Sequence, residues 1–407
     1  MAETAVAALF PGVGSQYSGM GRDLSRAHRI YRDTLTEASD VTGTDIVALC
    51  QEPDHADRLN RQENAQLCLL AASVATYRVL TVECGVRFAW CAGHSLGEYS
   101  ALCSAGVLSF ADGLRLVAAR ARLIRSVADG LDGTMMWVIG LDMAVVDNLC
   151  AQRRAADGIE VYVSAHDAPL QGTISGRTAD LRAFAGDLEA RGAVVYPLRM
   201  EGPYHSPMMR PAVAPMAELL DGVAFGAPTV PVLSTVDGGG YDDPGASAAR
   251  LRDQLVSPVR WLDVQRRLAR AGAGSAIEAG PGNVLSFLLA KAAPQIRAWP
   301  VDREPDLPAF VDRTRIGPDD YAPLIRRCLR VAASTRTRVR GHDGETLAAP
   351  YRRLSALCAD TERRAAGRAD AEQALHELSA VLAARGADVT ERRRQLNRAL
   401  DGKTWQV

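Results

Sequence analysis

Short uninterrupted apolar runs alternate with helix-periodic stretches over the first 130 residues. Ala5-Val6-Ala7-Ala8-Leu9-Phe10 has no polar interruption and stops at Pro11-Gly12, the pattern of a strand buried on both faces. Residues 64–84 place Leu67, Leu70, Val74 and Tyr77 at helical spacing. Phe88-Ala89-Trp90-Cys91-Ala92 predicts a second strand ending in Gly93, followed by a helix from about Leu96 and another over 111–129. Strands alternating with helices predict a parallel sheet in an α/β fold. From Met135 the rhythm changes: strands at 135–140, 159–163, 172–176 and 193–198, with helices at 143–155 and 178–191. This β-α-β-β-α-β order is the ferredoxin-like arrangement, here inserted into the larger unit, which resumes at Gly202-Pro203. Beyond residue 300 strand signals are nearly absent, and helical patterns run over 320–334, 350–365, 370–385 and 389–400. The expected organisation is therefore a large α/β domain over 1–131 and 201–300, a ferredoxin-like subdomain over 132–200, and a helical extension over 301–407.

Composition narrows the class. Of 407 residues, 47% are hydrophobic and 23% charged, with a net charge of −1, which excludes a largely disordered or collagen-like chain and argues against a nucleic-acid binder. The extension holds 20 basic against 16 acidic residues and the first 300 carry the opposite bias, so local charge survives the near-neutral sum. No apolar stretch is expected to reach the 18 or more residues of a membrane span, and Met1-Ala2-Glu3-Thr4 has no basic leader pattern. The eight cysteines are scattered without a C-x-x-C pair, which argues against zinc or a disulfide framework and for a reducing cytoplasm.

The sharpest chemical signal is Gly93-His94-Ser95-Leu96-Gly97, a G-x-S-x-G pentapeptide where a predicted strand hands over to a predicted helix. Glycines permit a tight turn that projects the Ser95 hydroxyl, and the helix start offers free backbone N–H groups to a developing negative charge. A serine nucleophile needs a base. His28 and His55 lie in polar segments, and His342 and His376 in the extension. The side chain of His94 is expected to point away from the serine on the turn. On spacing alone, His166 in the subdomain and His205 at a domain boundary are equal candidates.

A resemblance separates them. Phe10-Pro11-Gly12-Val13-Gly14-Ser15-Gln16 and Gly93-His94-Ser95-Leu96-Gly97-Glu98-Tyr99-Ser100-Ala101 resemble two motifs of the malonyl-CoA:acyl carrier protein transacylase family. Gln66 in the helix before the second motif, and Tyr204-His205-Ser206, Ala227-Pro228-Thr229-Val230-Pro231-Val232, Ser257-Pro258-Val259-Arg260-Trp261 and Glu278-Ala279-Gly280-Pro281-Gly282-Asn283-Val284-Leu285 after it, also match, all in family order. The resemblance spans roughly residues 5–300. It implies a hydrolase-like α/β fold, Ser95 as acylated nucleophile, and His205 as general base and acid. It further implies that the Gln254 backbone carbonyl orients the imidazole and that the Val13 and Leu96 amides form the oxyanion hole. Arg120 would pair with the free carboxylate of a malonyl group through its guanidinium fork. Gln66, Tyr204 and His94 would belong to the substrate site, Tyr204 filling the space that an α-methyl would need. The partners implied are malonyl-CoA and an acyl carrier protein, with a coenzyme A thioester as substrate and no bound cofactor.

Departures from the family pattern qualify this reading. Val13 stands where Gln is usual, and Ala165 and Asp167 stand where asparagines are common, which bears on the coenzyme A contacts and on the choice of donor. Asp320-Tyr321-Ala322-Pro323-Leu324-Ile325-Arg326-Arg327-Cys328-Leu329 and Ala349-Pro350-Tyr351-Arg352 are similar to the C-terminal extensions of free-standing acyltransferases that serve polyketide synthases in trans. Three rival readings stay open at this point. They are a hydrolase that clears acyl groups from carrier proteins, a transferase for another acyl donor, and a catalytically silent docking protein.

Overall fold

In the computed structural model the described residues are 5–198, 200, 202–241, 243–302, 306–307, 318–335 and 344–400. Among these residues, nine strands fall in two sheets. They are β1 (Ala5–Phe10), β2 (Trp90–Gly93), β3 (Gly133–Ile139), β4 (Val161–Ala168), β5 (Gln171–Arg177), β6 (Val194–Pro197), β7 (Val232–Leu233), β8 (Ala273–Glu278) and β9 (Arg297–Pro300). The larger sheet has the order β7-β2-β1-β8-β9 with every neighbouring pair parallel. Its central strand is the uninterrupted apolar run at the N-terminus, and Ala7 to Phe10 are fully buried because helices cover both faces. Phe10 and Gly93 stand opposite each other in register. The turns leaving β1 and β2 are therefore adjacent at the carboxyl edge of the sheet, where open α/β sheets place their sites.

The helix Gln62–Arg78 continues through a π-helical turn, Val79–Glu83. Together they make a 22-residue apolar segment long enough by composition to cross a membrane, contrary to the sequence expectation that no stretch approached that length. Of its most apolar window 83% is buried inside the protein. Residues 65–77 are buried on every side of the helix, so its hydrophobicity serves the core.

The smaller sheet has the order β4-β5-β3-β6 with every neighbouring pair antiparallel, the ferredoxin-like arrangement. The helices Met143–Asp157 and Thr178–Glu189 bury Val146, Cys150, Leu181, Phe184 and Leu188 with Val138, Val161 and Ile174 in a core of its own. The sequence pattern ends its strand at residue 163, whereas β4 runs on to Ala168. Two register shifts carry the polar residues Ser164, His166 and Asp167 within the strand. This end of β4 is also bound to the large domain: Val259 donates its N–H to the Ser164 carbonyl (2.9 Å), and His166 donates to the Val259 carbonyl (2.9 Å).

Helices Pro318–Ser334, Gly344–Thr361, Arg368–Ala384 and Val389–Leu400 pack on one another around Leu324, Ile325, Cys328, Leu354, Ala374, Leu378 and Leu382. The second begins about six residues before the apolar periodicity does and contains Pro350.

Candidate active site

Ser95 sits on the turn between β2 and the helix Gly97–Ser104 with φ of +53°. A non-glycine residue in the left-handed region costs about 1–3 kcal/mol and persists where its surroundings impose it. Here they do. A Cβ at Gly97 would lie 2.0 Å from the Phe10 carbonyl oxygen, and one at Gly93 would lie 1.9 Å from the Gly97 backbone. The two glycines of the pentapeptide thus let the turn close onto β1, and the His94 N–H donates to the Phe10 carbonyl at 3.0 Å.

His205 follows the subdomain directly and also has a positive φ, +58°. Its Nε2 lies 2.7 Å from Ser95 Oγ, and its Nδ1 lies 2.9 Å from the Gln254 carbonyl oxygen. A carbonyl only accepts, so Nδ1 carries the proton, Nε2 is bare, and the Ser95 hydroxyl donates to it. Burial, and next the Arg120 cation, push the His205 imidazole down to about 4. At neutral pH it is therefore an unprotonated base aimed at the serine. The Val13 and Leu96 amides donate to no protein group among the described residues, and both residues line the same cavity as Ser95.

That cavity, about 1270 Å³, lies between the carboxyl edge of the large sheet and the subdomain. One wall carries Gln66, Ser95, Arg120 and His205, and the other Met135, Trp137, Ala165, Asp167 and Thr173. Arg120, on the helix Phe110–Asp129, is 4% exposed. It donates to Gln66 Oε1 (2.7 Å) and Gln254 Oε1 (3.5 Å), and its guanidinium lies over the Tyr99 ring at 5.2 Å. No carboxylate pairs with it among the described residues, and its Nε and the Gln66 Nε2 are buried without a partner. Tyr204 is buried at the cavity wall and donates its hydroxyl to Gln62 Oε1 at 2.8 Å.

The structure separates the two histidines that spacing left equal, because His205 meets Ser95 and His166 is not among the residues lining the cavity. His94 turns away from the serine: its Nε2 lies 2.9 Å from Asp167 Oδ1, and its ring stands edge-on to Trp261 at 5.7 Å. It still lines the cavity, as does Asp167. Sequence reading gave no role to Glu98, to Trp261 or to the Gln254 side chain. Glu98 and Trp261 lie within quoted motifs, but only packing reveals what they touch.

The family model described as "Acyl transferase domain" matches residues 8–303. Malonyl CoA-acyl carrier protein transacylase of Escherichia coli (strain K12) is 38% identical over 286 residues, covering 70% of this chain and 92% of that protein. Polyketide biosynthesis protein ThaF of Burkholderia thailandensis is 37% identical over 290 residues, 70% of this chain and 24% of that longer protein. Among solved structures, the chain is similar to a malonyl-transacylase held in complex with a type II PKS acyl-carrier protein. The TM-score is 0.73 at 35% identity, covering 76% of this chain and all of that one. It is likewise similar to the malonyl-CoA:acyl carrier protein transacylase of Xanthomonas oryzae pv. oryzae, with a TM-score of 0.72 at 38% identity over 77% of this chain and 99% of that one. With a serine and a buried neutral histidine in contact at the carboxyl edge of a parallel sheet, and an inserted ferredoxin-like subdomain facing them, this chain belongs to the acyl transferase domain family.

Proposed function

We propose that the chain moves a malonyl group from malonyl-CoA to the phosphopantetheine thiol of an acyl carrier protein through an acyl-Ser95 intermediate. Ser95 Oγ attacks the thioester carbonyl as its proton passes to His205 Nε2, and the oxyanion rests on the Val13 and Leu96 amides. The C–S bond breaks, and the imidazolium returns the proton to the departing coenzyme A thiolate. The carrier thiol then gives its proton to His205 and attacks the acyl-serine carbonyl; the C–O bond to Ser95 breaks, and the imidazolium returns that proton to Ser95 Oγ. The Gln254 carbonyl keeps the imidazole in the tautomer that both halves require.

The observation that carries the malonyl assignment is Arg120. A guanidinium that is almost wholly buried is costly unless an anion meets it, and among the described residues only neutral acceptors do. A bound malonyl carboxylate supplies the missing charge, while an acetyl group leaves it unmet. Tyr204 narrows the wall where a substituent beside the carbonyl would sit, which favours malonyl over methylmalonyl. The names of the similar proteins from Escherichia coli and Xanthomonas oryzae support the same donor and acceptor.

We further assign the acceptor to a polyketide or hybrid assembly line served in trans. The similarity to ThaF and to the complex with a polyketide carrier protein supports this, as does the helical bundle beyond the family match. The free thiols of all eight cysteines support a cytoplasmic setting. Intact-protein mass spectrometry after brief incubation with malonyl-, methylmalonyl- and acetyl-CoA tests the reading. The expected result is a malonyl adduct that is absent in Ser95→Ala and passes to a carrier protein. An adduct formed from acetyl-CoA that decays in water would identify a hydrolase instead. No adduct from any donor would leave only a docking role.

A further inference from the structure

Gln254 enters the proposed mechanism through its backbone alone, yet its side chain is almost wholly buried and joins three parts of the site. Its Nε2 donates to the Ser95 carbonyl (3.1 Å) and to Glu98 Oε2 (2.6 Å), and its Oε1 accepts from Arg120. Glu98 is the source of this order. It is fully buried one turn beyond the nucleophile, and among the described residues it forms no ion pair. Its Oε1 accepts from the Thr235 N–H (3.1 Å) and the Tyr241 hydroxyl (2.7 Å). Its Oε2 accepts from the Thr235 hydroxyl (2.6 Å) and from Gln254. Four hydrogen bonds thus converge on the carboxylate, one of them from a backbone N–H that can only donate.

A planar amide offers its two ends as a donor and an acceptor and can be built in either sense. Here both ends are decided by charge. The carboxylate of Glu98 takes the NH₂ end, which leaves the oxygen to face the Arg120 cation. The reversed amide would set its oxygen against the carboxylate and its N–H groups against the guanidinium. We infer that Glu98 is a positioning residue for acyl transfer, locking the Gln254 amide so that one residue fixes the nucleophile turn, the imidazole and the carboxylate-binding arginine together. Its effect reaches substrate through Arg120, so its signature is donor selectivity and not stability alone. This inference rests on the proposed malonyl transfer.

The test is Glu98→Gln in the full chain, reading the pre-steady-state rate of Ser95 acylation by malonyl-CoA and by acetyl-CoA alongside thermal melting. The uncharged amide cannot dictate the Gln254 orientation, and the malonyl-to-acetyl rate ratio is expected to fall about tenfold or more, the order of a charge-assisted hydrogen bond misdirected. Tyr241→Phe serves as the control. It removes one bond from Glu98 without touching Gln254, and should lower the melting temperature while leaving the ratio near that of the unaltered protein. An unchanged ratio in Glu98→Gln overturns the inference, as does an equal fall in Tyr241→Phe. If Glu98→Gln does not fold, Gln254→Met decides: it keeps the backbone carbonyl and the volume but removes both ends of the amide. A fall in ratio supports the inference, and an unchanged ratio ends it. Failure of the unaltered protein to form a malonyl adduct would count against the proposed function, not against this inference.

Discussion

The two walls of the cleft are built on opposite plans. The large-domain wall holds its polar groups buried in one hydrogen-bonded network that joins Glu98, Gln66, Arg120, His205 and Gln254. The subdomain wall sets Met135, Trp137 and Ala165 beside Ser164, Asp167 and Thr173, and its one ionic contact among the described residues is Asp167 reaching across to His94. A preorganised network can orient charge at a reacting centre, because its dipoles do not rearrange as the reaction proceeds. A wall whose only charged side chain is a carboxylate can shape the space but offers an anion no cation. The difference assigns chemistry to the first wall and fit to the second.

The sharpest way to break that assignment is Arg120→Ala. Losing a buried cation that a bound carboxylate would meet is expected to lower the malonyl-to-acetyl acylation ratio by on the order of 10²–10³. A ratio within threefold of the unaltered protein would move selectivity to the subdomain wall. The pH dependence comes next. Since burial holds His205 neutral down to about 4, the acylation rate should stay level from pH 8 to about 5 and fall close to tenfold per unit below 4. The sign for stability runs the same way. The unfolded chain binds this proton near 6.5 and the native state only near 4, so stability drops as pH falls through that window. Rapid-quench rates with an inflection near 6.5 would contradict a desolvated base. In Arg120→Ala the inflection should move upward, because that cation is the second cause of the shift.

The smallest effect is expected at Asp167→Asn on the opposite wall. The amide keeps an acceptor for His94 and removes a negative charge from the cleft, so the acylation rate should change by less than about threefold. The effect belongs in the KM for the coenzyme A thioester. A change of tenfold or more in acylation rate would place chemistry on the subdomain side as well.

Much of the fold could be read from the chain because its code is local. β1 is a continuous apolar run, and the subdomain shows six elements whose periods switch between 2 and 3.6. The reading failed where polar residues occupy a strand, as His166 and Asp167 do in β4. Those side chains are accommodated by register shifts and by docking on Val259, neither of which has a local signal. The sequence reading likewise names none of β7, β8 and β9, although β8 is as long as β1. At the site, Ser95 stood out by its glycines, while the choice between His166 and His205 needed the family pattern. The Glu98–Gln254 contact spans 156 residues of sequence, and no spacing rule links positions so far apart.

The way the subdomain is inserted has a consequence for how the chain finds its native state. Ser95 and His205 lie 110 residues apart, and the whole subdomain falls between them. Its first and last strands are paired neighbours, with Met136 opposite Pro197, and a Cβ on Gly133 would fall 2.7 Å from the Pro203 ring. The insertion therefore leaves the large domain almost where it enters. Once the subdomain has folded, the loop to be closed between serine and histidine shrinks to about 45 residues, easing its closure entropy by somewhat under ~1 kcal/mol. A 65-residue detour of this shape is nearly free for folding, yet it postpones the reactive pair until both segments of the large domain have emerged and met. On the proposed mechanism, a nascent or half-folded chain exposes a serine with no base beside it, and so has no means of acylating itself.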